Sequence, residues 1–70
     1  MHRRDVIEMV RKAARAKGLS FELIELSRHT AVIVDSVSKT LGRHSEIDDL
    51  TAKKFWDQFG DVLGGKGWWR

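Results

Sequence analysis

The sequence predicts an α+β fold: a two-layer α-β-β-β-α sandwich, in which a three-stranded antiparallel sheet carries two helices on one face. Three observations predict it. Apolar residues recur at helical spacing near both ends of the chain, the middle third is rich in β-branched residues, and no proline or internal repeat interrupts the 70 residues.

The first helix is expected over residues 5–17. Val6, Met9, Val10, Ala13 and Ala14 recur at spacings of three and four and form one apolar stripe, with Arg4, Glu8, Arg11, Lys12 and Arg15 on the other side. Lys17 followed by Gly18 ends it, because glycine takes the left-handed conformation of a helix terminus. Residues 21–26 then read as a strand with partial alternation. Residues 30–34 form the second strand, apolar on both faces, with Ala31 and Ile33 on one and Val32 and Val34 on the other. Asp35-Ser36 is a two-residue turn, and residues 37–41 return as the third strand. The second helix is expected over residues 50–63, with Phe55, Phe59, Val62 and Leu63 buried, Leu50 or Ala52 leading in, and Trp56 on the rim. Asp48 and Asp49 stand where a cap and a favourable dipole interaction are wanted, and Gly64 and Gly65 close the helix.

Seventy residues allow one small domain, placed at 1–64, followed by a Gly/Trp tail at 65–70. Two helices cover one sheet face, so the other needs a cover: the Trp68-Trp69 tail, a second copy or a protein partner. For the two tryptophans themselves, stacking on bases or anchoring a partner stands against folding back to finish a small core.

With 41% hydrophobic and 33% charged residues the chain reads as an ordinary globule, neither disordered nor fibrous. The absence of cysteine excludes disulfides, thiolate metal sites and a cysteine nucleophile. No apolar run is long enough for a signal peptide or a spanning helix, so a cytoplasmic location is expected. The net charge is +3, unevenly spread: residues 1–18 carry +4, 27–45 carry +2 and 46–63 carry −3. A basic first element and basic middle suggest a side that faces a polyanion; a solvated charged surface is the plainer alternative.

Reactive groups are few. No Gly-rich phosphate loop joins a strand to a helix, no HExxH pair is present, and His2, His29 and His44 are too scattered to suggest a metal site. His29 is the leading candidate for catalysis. It opens the central strand directly after Arg28, where an imidazole can exchange a proton and a guanidinium can hold a phosphate. The competing reading is an edge histidine in a turn. His44, beside Arg43, makes a second Arg-His pair before the last helix, while His2 is expected to be mobile and without a role. The two Arg-His pairs, one entering the central strand and one leaving the third, could approach each other across the sheet, and Arg28, Lys39, Arg43, His44, Arg4 and Arg11 are the candidate RNA-binding residues.

The run Ser27-Arg28-His29-Thr30-Ala31-Val32-Ile33-Val34, a turn, and then Thr40-Leu41-Gly42-Arg43-His44-Ser45 resembles the HicA-type toxins of toxin–antitoxin pairs. The opening Arg3-Arg4-Asp5-Val6-Ile7 is similar to the start of that family's first helix, and the likeness covers residues 1 to about 64. Arg28 stands where the family has Ser or Thr, Ser27 replaces its Gly, and Gly42 occupies the place of its Pro. The resemblance implies a double-stranded-RNA-binding-like fold and a metal-independent mRNA interferase without a cofactor. It implies His29 as the catalytic residue and a cognate antitoxin over the active surface. On the residues alone two alternatives stand beside this endoribonuclease: a non-catalytic RNA-binding module, and a phage-borne protein-interaction module using the open sheet face and the Trp tail. A homodimer is compatible with each.

Overall fold

The computed structural model describes residues 1–70 and has the expected order. Helix α1 (Arg3–Ala16) leads into strands β1 (Phe21–Glu25), β2 (His29–Val34) and β3 (Val37–Gly42), followed by helix α2 (Asp49–Asp57) and the single turn α3 (Gly60–Leu63). The sheet order is β1-β2-β3, antiparallel throughout, and no helix is long and apolar enough to cross a membrane.

Strand pairing sorts the side chains. Opposite residues share a face, so Phe21, Leu23, Glu25, Thr30, Val32, Val34, Val37, Lys39 and Leu41 project towards the helices. Glu22, Ile24, His29, Ala31, Ile33, Ser38 and Thr40 project from the open side. Val32, Val34 and Leu41 meet Val6, Ile7, Val10 and Ala14 of α1, Ala52, Phe55 and Trp56 of α2, and Phe59 and Leu63 around α3 in one core. Phe55 and Phe59 meet edge to face, ring centroids 5.3 Å apart. The turn at Asp35-Ser36 forms as expected; Asp35 takes a φ of +55°, which a short polar side chain tolerates better than a branched one.

The first helix starts two residues earlier than its apolar spacing indicates. His2 is its cap, with Nδ1 accepting from the Arg4 N–H at 3.2 Å. It also bridges Glu46, so the expectation of a mobile His2 is corrected: the chain start is stitched to residues 45–47. The Arg3 N–H donates to the Ser45 carbonyl at 2.9 Å and the Ile47 N–H to the Met1 carbonyl at 2.7 Å. Gly18, at φ +69°, ends the helix region as the sequence indicates.

The single helix expected over 50–63 is broken at Gln58-Phe59. The Gly65 N–H donates to the Gly60 carbonyl at 2.7 Å, and a Cβ on Gly60 would lie 3.1–3.3 Å from the backbone of Gly65 and Lys66. Only glycine admits that approach without a shift. Asp48 caps α2 as expected, accepting from the Thr51 N–H at 3.1 Å and its hydroxyl at 2.6 Å. Ala52 leads the buried stripe, whereas Leu50 is exposed. Trp56 is buried rather than on the rim, because its Nε1–H reaches the Val6 carbonyl at 3.0 Å and so satisfies its one polar group inside the core.

Residues 65–70 dock on α2. Trp68 Nε1–H donates to the Trp56 carbonyl at 2.6 Å, and Trp69 Nε1–H to Asp57 Oδ1 at 2.8 Å. Both rings are half-buried against the core. The tail therefore does not cover the open sheet face, and of the three covers considered for that face it is eliminated.

Candidate functional site

His29 opens β2 opposite Gly42, the last residue of β3. The Leu26 N–H donates to the His29 carbonyl at 2.8 Å, so the backbone of His29 is spent on the β1 side. His29 and Gly42 are therefore a non-hydrogen-bonded pair, the closer kind, with Cα atoms typically about 4.5 Å apart. Gly42 has no side chain, and its vacant Cβ direction is filled from elsewhere. The His44 ring lies there, its Cδ2 3.4 Å and its Nε2 3.9 Å from where a Gly42 Cβ would stand. Directly opposed residues project to one face, so the His29 side chain and the His44 ring lie on the same open face at one end of the sheet. Both are exposed.

The loop that carries His44 is anchored rather than free. Ser45 and Ile47 bond the chain start through their backbones, and the buried Ile47 side chain plugs into the core. Those tethers place the His44 ring beside the strand end.

An ion network lies under this end. Thr30, fully buried, donates its hydroxyl to Glu25 Oε1 at 2.7 Å and accepts from Arg3 Nη2. Arg43 Nη2 donates to the same Glu25 oxygen at 3.0 Å, and Arg3 Nε to the Gly42 carbonyl at 3.2 Å. The Thr30 hydrogen bond, with Arg43 and Arg3 beside it, holds the Glu25 carboxyl below the ordinary glutamate range. Arg3 thus ties α1 to both β2 and β3, one residue below the histidines.

The candidate residues separate into two groups. His29, His44, Arg28 and Arg43 gather at this end; Arg28 is exposed in the turn before β2, and Arg43 is engaged by Glu25. Arg4 is exposed in the first turn of α1 without an ion pair. Lys39 points to the helix side, opposite Val32, and so does not share the histidines' face. Arg11 is bonded to Glu8 at 2.7 Å and lines a cavity with Phe21, at the far end of the sheet. That end lies about 17 Å from His29, five residues along β2 at ~3.4 Å each. Lys39 and Arg11 are accordingly not part of one surface with His29. Arg3, Thr30 and Glu25 were not anticipated; the signal for them lies only in the register that sets Glu25 against Thr30.

No three His, Asp or Glu side chains converge as a metal cluster. Compared with protein-family models, curated proteins and solved structures, the chain matches none.

Proposed function

We propose that this chain is a cytoplasmic RNA-cleaving toxin of a toxin–antitoxin pair, with His29 and His44 as its acid–base pair. The observation that carries the reading is that His29 and the His44 ring, both exposed, stand on one sheet face beside Gly42. An imidazole is the side chain best suited to give and take a proton near neutrality, and RNA cleavage by internal transfer needs one of each. One histidine takes the proton from a ribose 2′-OH as that oxygen attacks the adjacent phosphorus. The other gives a proton to the departing 5′-oxygen, leaving a 2′,3′-cyclic phosphate and a 5′-hydroxyl. Arg28 is the cation free to receive the phosphate at this end; Arg43 is shared with Glu25. A cognate antitoxin that covers the open face would silence both histidines together.

The test is cleavage of a single-stranded RNA by the purified chain in the presence of EDTA. Cyclic-phosphate and 5′-hydroxyl ends are expected, and His29→Ala should slow the reaction by about a hundredfold or more without unfolding. His44→Ala should do the same. RNA that is bound in a salt-dependent way but left intact would make the chain a binding module and reject the enzyme reading.

A further inference from the structure

The direction of the backbone hydrogen bonds shows which groups of β1 are unused. Leu26 N–H bonds the His29 carbonyl and Asp35 N–H bonds the Ser20 carbonyl, at 2.8 and 3.1 Å, at the two ends of the β1–β2 register. Alternation along an antiparallel pair then gives the even residues of β1 to β2 and turns the N–H and C=O of Phe21, Leu23 and Glu25 outward. β1 is an edge strand, so these six groups have no strand beside them. Three of the five exposed large apolar side chains lie on or next to it: Leu23 at 44%, Ile24 at 42% and Leu26 at 46%. The strand has no lysine, no proline and no bulge; of the devices that guard such an edge it carries only the charges of Glu22 and Glu25.

We propose that this edge pairs with β1 of a second copy of the chain, antiparallel, about a twofold axis through Leu23. The outward groups select that register. With Leu23 opposite Leu23 of the other copy, Phe21 falls opposite its Glu25, and all six outward groups of each copy are bonded. A shift of two residues leaves part of them unbonded, and a shift of one puts each side chain on the wrong face. Neither Glu22 nor Glu25 then faces a glutamate; Glu22 lies opposite Ile24.

Charge favours the same register. Phe21 lines a cavity of about 480 Å³ together with Arg11, Arg15, Gly18 and Leu19. Arg11 is held by Glu8, but Arg15 has no ion pair of its own. Glu25 of the second copy arrives opposite Phe21 on the helix side, at the mouth of this cavity, and offers Arg15 its second oxygen, Oε2, while Oε1 stays with Thr30 and Arg43 of its own chain. Symmetry makes the contact twice. The product is one six-stranded sheet with all helices on one side and both open faces on the other. The interface uses neither His29 nor His44, so it stands or falls apart from the proposed activity.

The test is sedimentation equilibrium of the full chain from low micromolar to millimolar concentration. The mass is expected to rise from 8.1 kDa towards twice that value. Leu23→Lys should weaken association by about tenfold or more, Arg15→Glu by less, and Leu50→Lys, at an exposed apolar site elsewhere, not at all. A synthetic chain N-methylated at Leu23 removes one outward N–H, leaves the side chain in place and should weaken it likewise. A wild-type chain at monomer mass throughout overturns the proposal, as does a dimer that survives both changes at Leu23 or is lost in Leu50→Lys.

Discussion

Thr30 and Glu25 face each other across β2 and β1, and the buried hydroxyl donates to the exposed carboxylate at 2.7 Å. The threonine is thus the link between Arg3, which reaches it from α1, and a glutamate shared with Arg43. A hydroxyl at the centre of such a network is replaceable by no apolar residue, although valine has nearly its shape.

Thr30→Val should therefore destabilise the fold by about 1–3 kcal/mol, since it removes the hydroxyl that accepts from Arg3 Nη2 and donates to Glu25. Urea denaturation measures this. The pH dependence gives a second readout. Glu25 titrates lower in the folded chain than in the unfolded one, mainly through Thr30 and then through Arg43 and Arg3. Its contribution is complete above the ordinary glutamate range and is lost as pH falls through the folded value. With the largest cause removed, Thr30→Val should lose less stability on acidification than the wild type. Equal acid sensitivity in the two proteins would contradict this account of Glu25.

Asp57 fastens the C-terminal tail. Its Oδ1 accepts from Trp69 Nε1–H at 2.8 Å and from the Gly67 N–H at 2.9 Å, and these two bonds, Trp69 first, hold the carboxyl below the ordinary aspartate range. The same sign applies: the fastening is whole above roughly pH 4 and fails as pH falls below it. Asp57→Ala should release the tail at neutral pH, seen as a red shift of tryptophan emission, and should abolish the acid-induced shift. Emission unchanged in Asp57→Ala would mean that the other ties, the Trp68 Nε1–H bond to the Trp56 carbonyl and the contact between the Trp69 and Trp56 rings at 5.6 Å, suffice to hold the tail.

Much of this was legible in the residues, and the rest was hidden for identifiable reasons. The order of elements, the Asp35-Ser36 turn and the Asp48 cap depend on local spacing, which a sequence displays directly. Even the placement of Lys39 was readable, since it alternates in step with Val37 and Leu41. The break at Gln58-Phe59 was not, because Phe55, Phe59, Val62 and Leu63 keep helical spacing straight across it, while the Gln58 and Phe59 N–H groups bond the carbonyls three residues back, those of Phe55 and Trp56, instead of four. His2 and Arg3 were hidden likewise. Their partners lie some 40 residues away, beyond any local pattern. For the candidate site, an approach of the two Arg-His pairs across the sheet was open to the sequence, but the face they share depends on Gly42 lying opposite His29, a fact of register.

Trp56→Phe tests the seam between α1 and α2. The substitution keeps an aromatic ring in the core but deletes the Nε1–H bond to the Val6 carbonyl, so a loss of about 1 kcal/mol is expected. Trp56→Ala should cost about 3–5 kcal/mol, because the cavity adds to the lost bond. Thermal or urea unfolding of the two variants gives both values, and a Phe variant as damaged as the Ala variant would show that the bond, not the packing, dominates.

Gly42→Val separates the site from the fold. The backbone of Gly42 lies in an ordinary strand conformation, so a β-branched residue is accommodated without strain and suits a strand. Its Cβ would lie 3.4 Å from His44 Cδ2, and the two methyl groups beyond it would occupy the space of the ring. The imidazole must swing away from His29. Stability should change by no more than about 0.5 kcal/mol, while RNA cleavage should fall as far as it does in His44→Ala. The smaller Gly42→Ala, whose Cβ only touches the ring, should keep most of the rate. If Gly42→Val cleaved RNA at the wild-type rate, His44 would have no part in the chemistry, and the acid–base pair would need another second member.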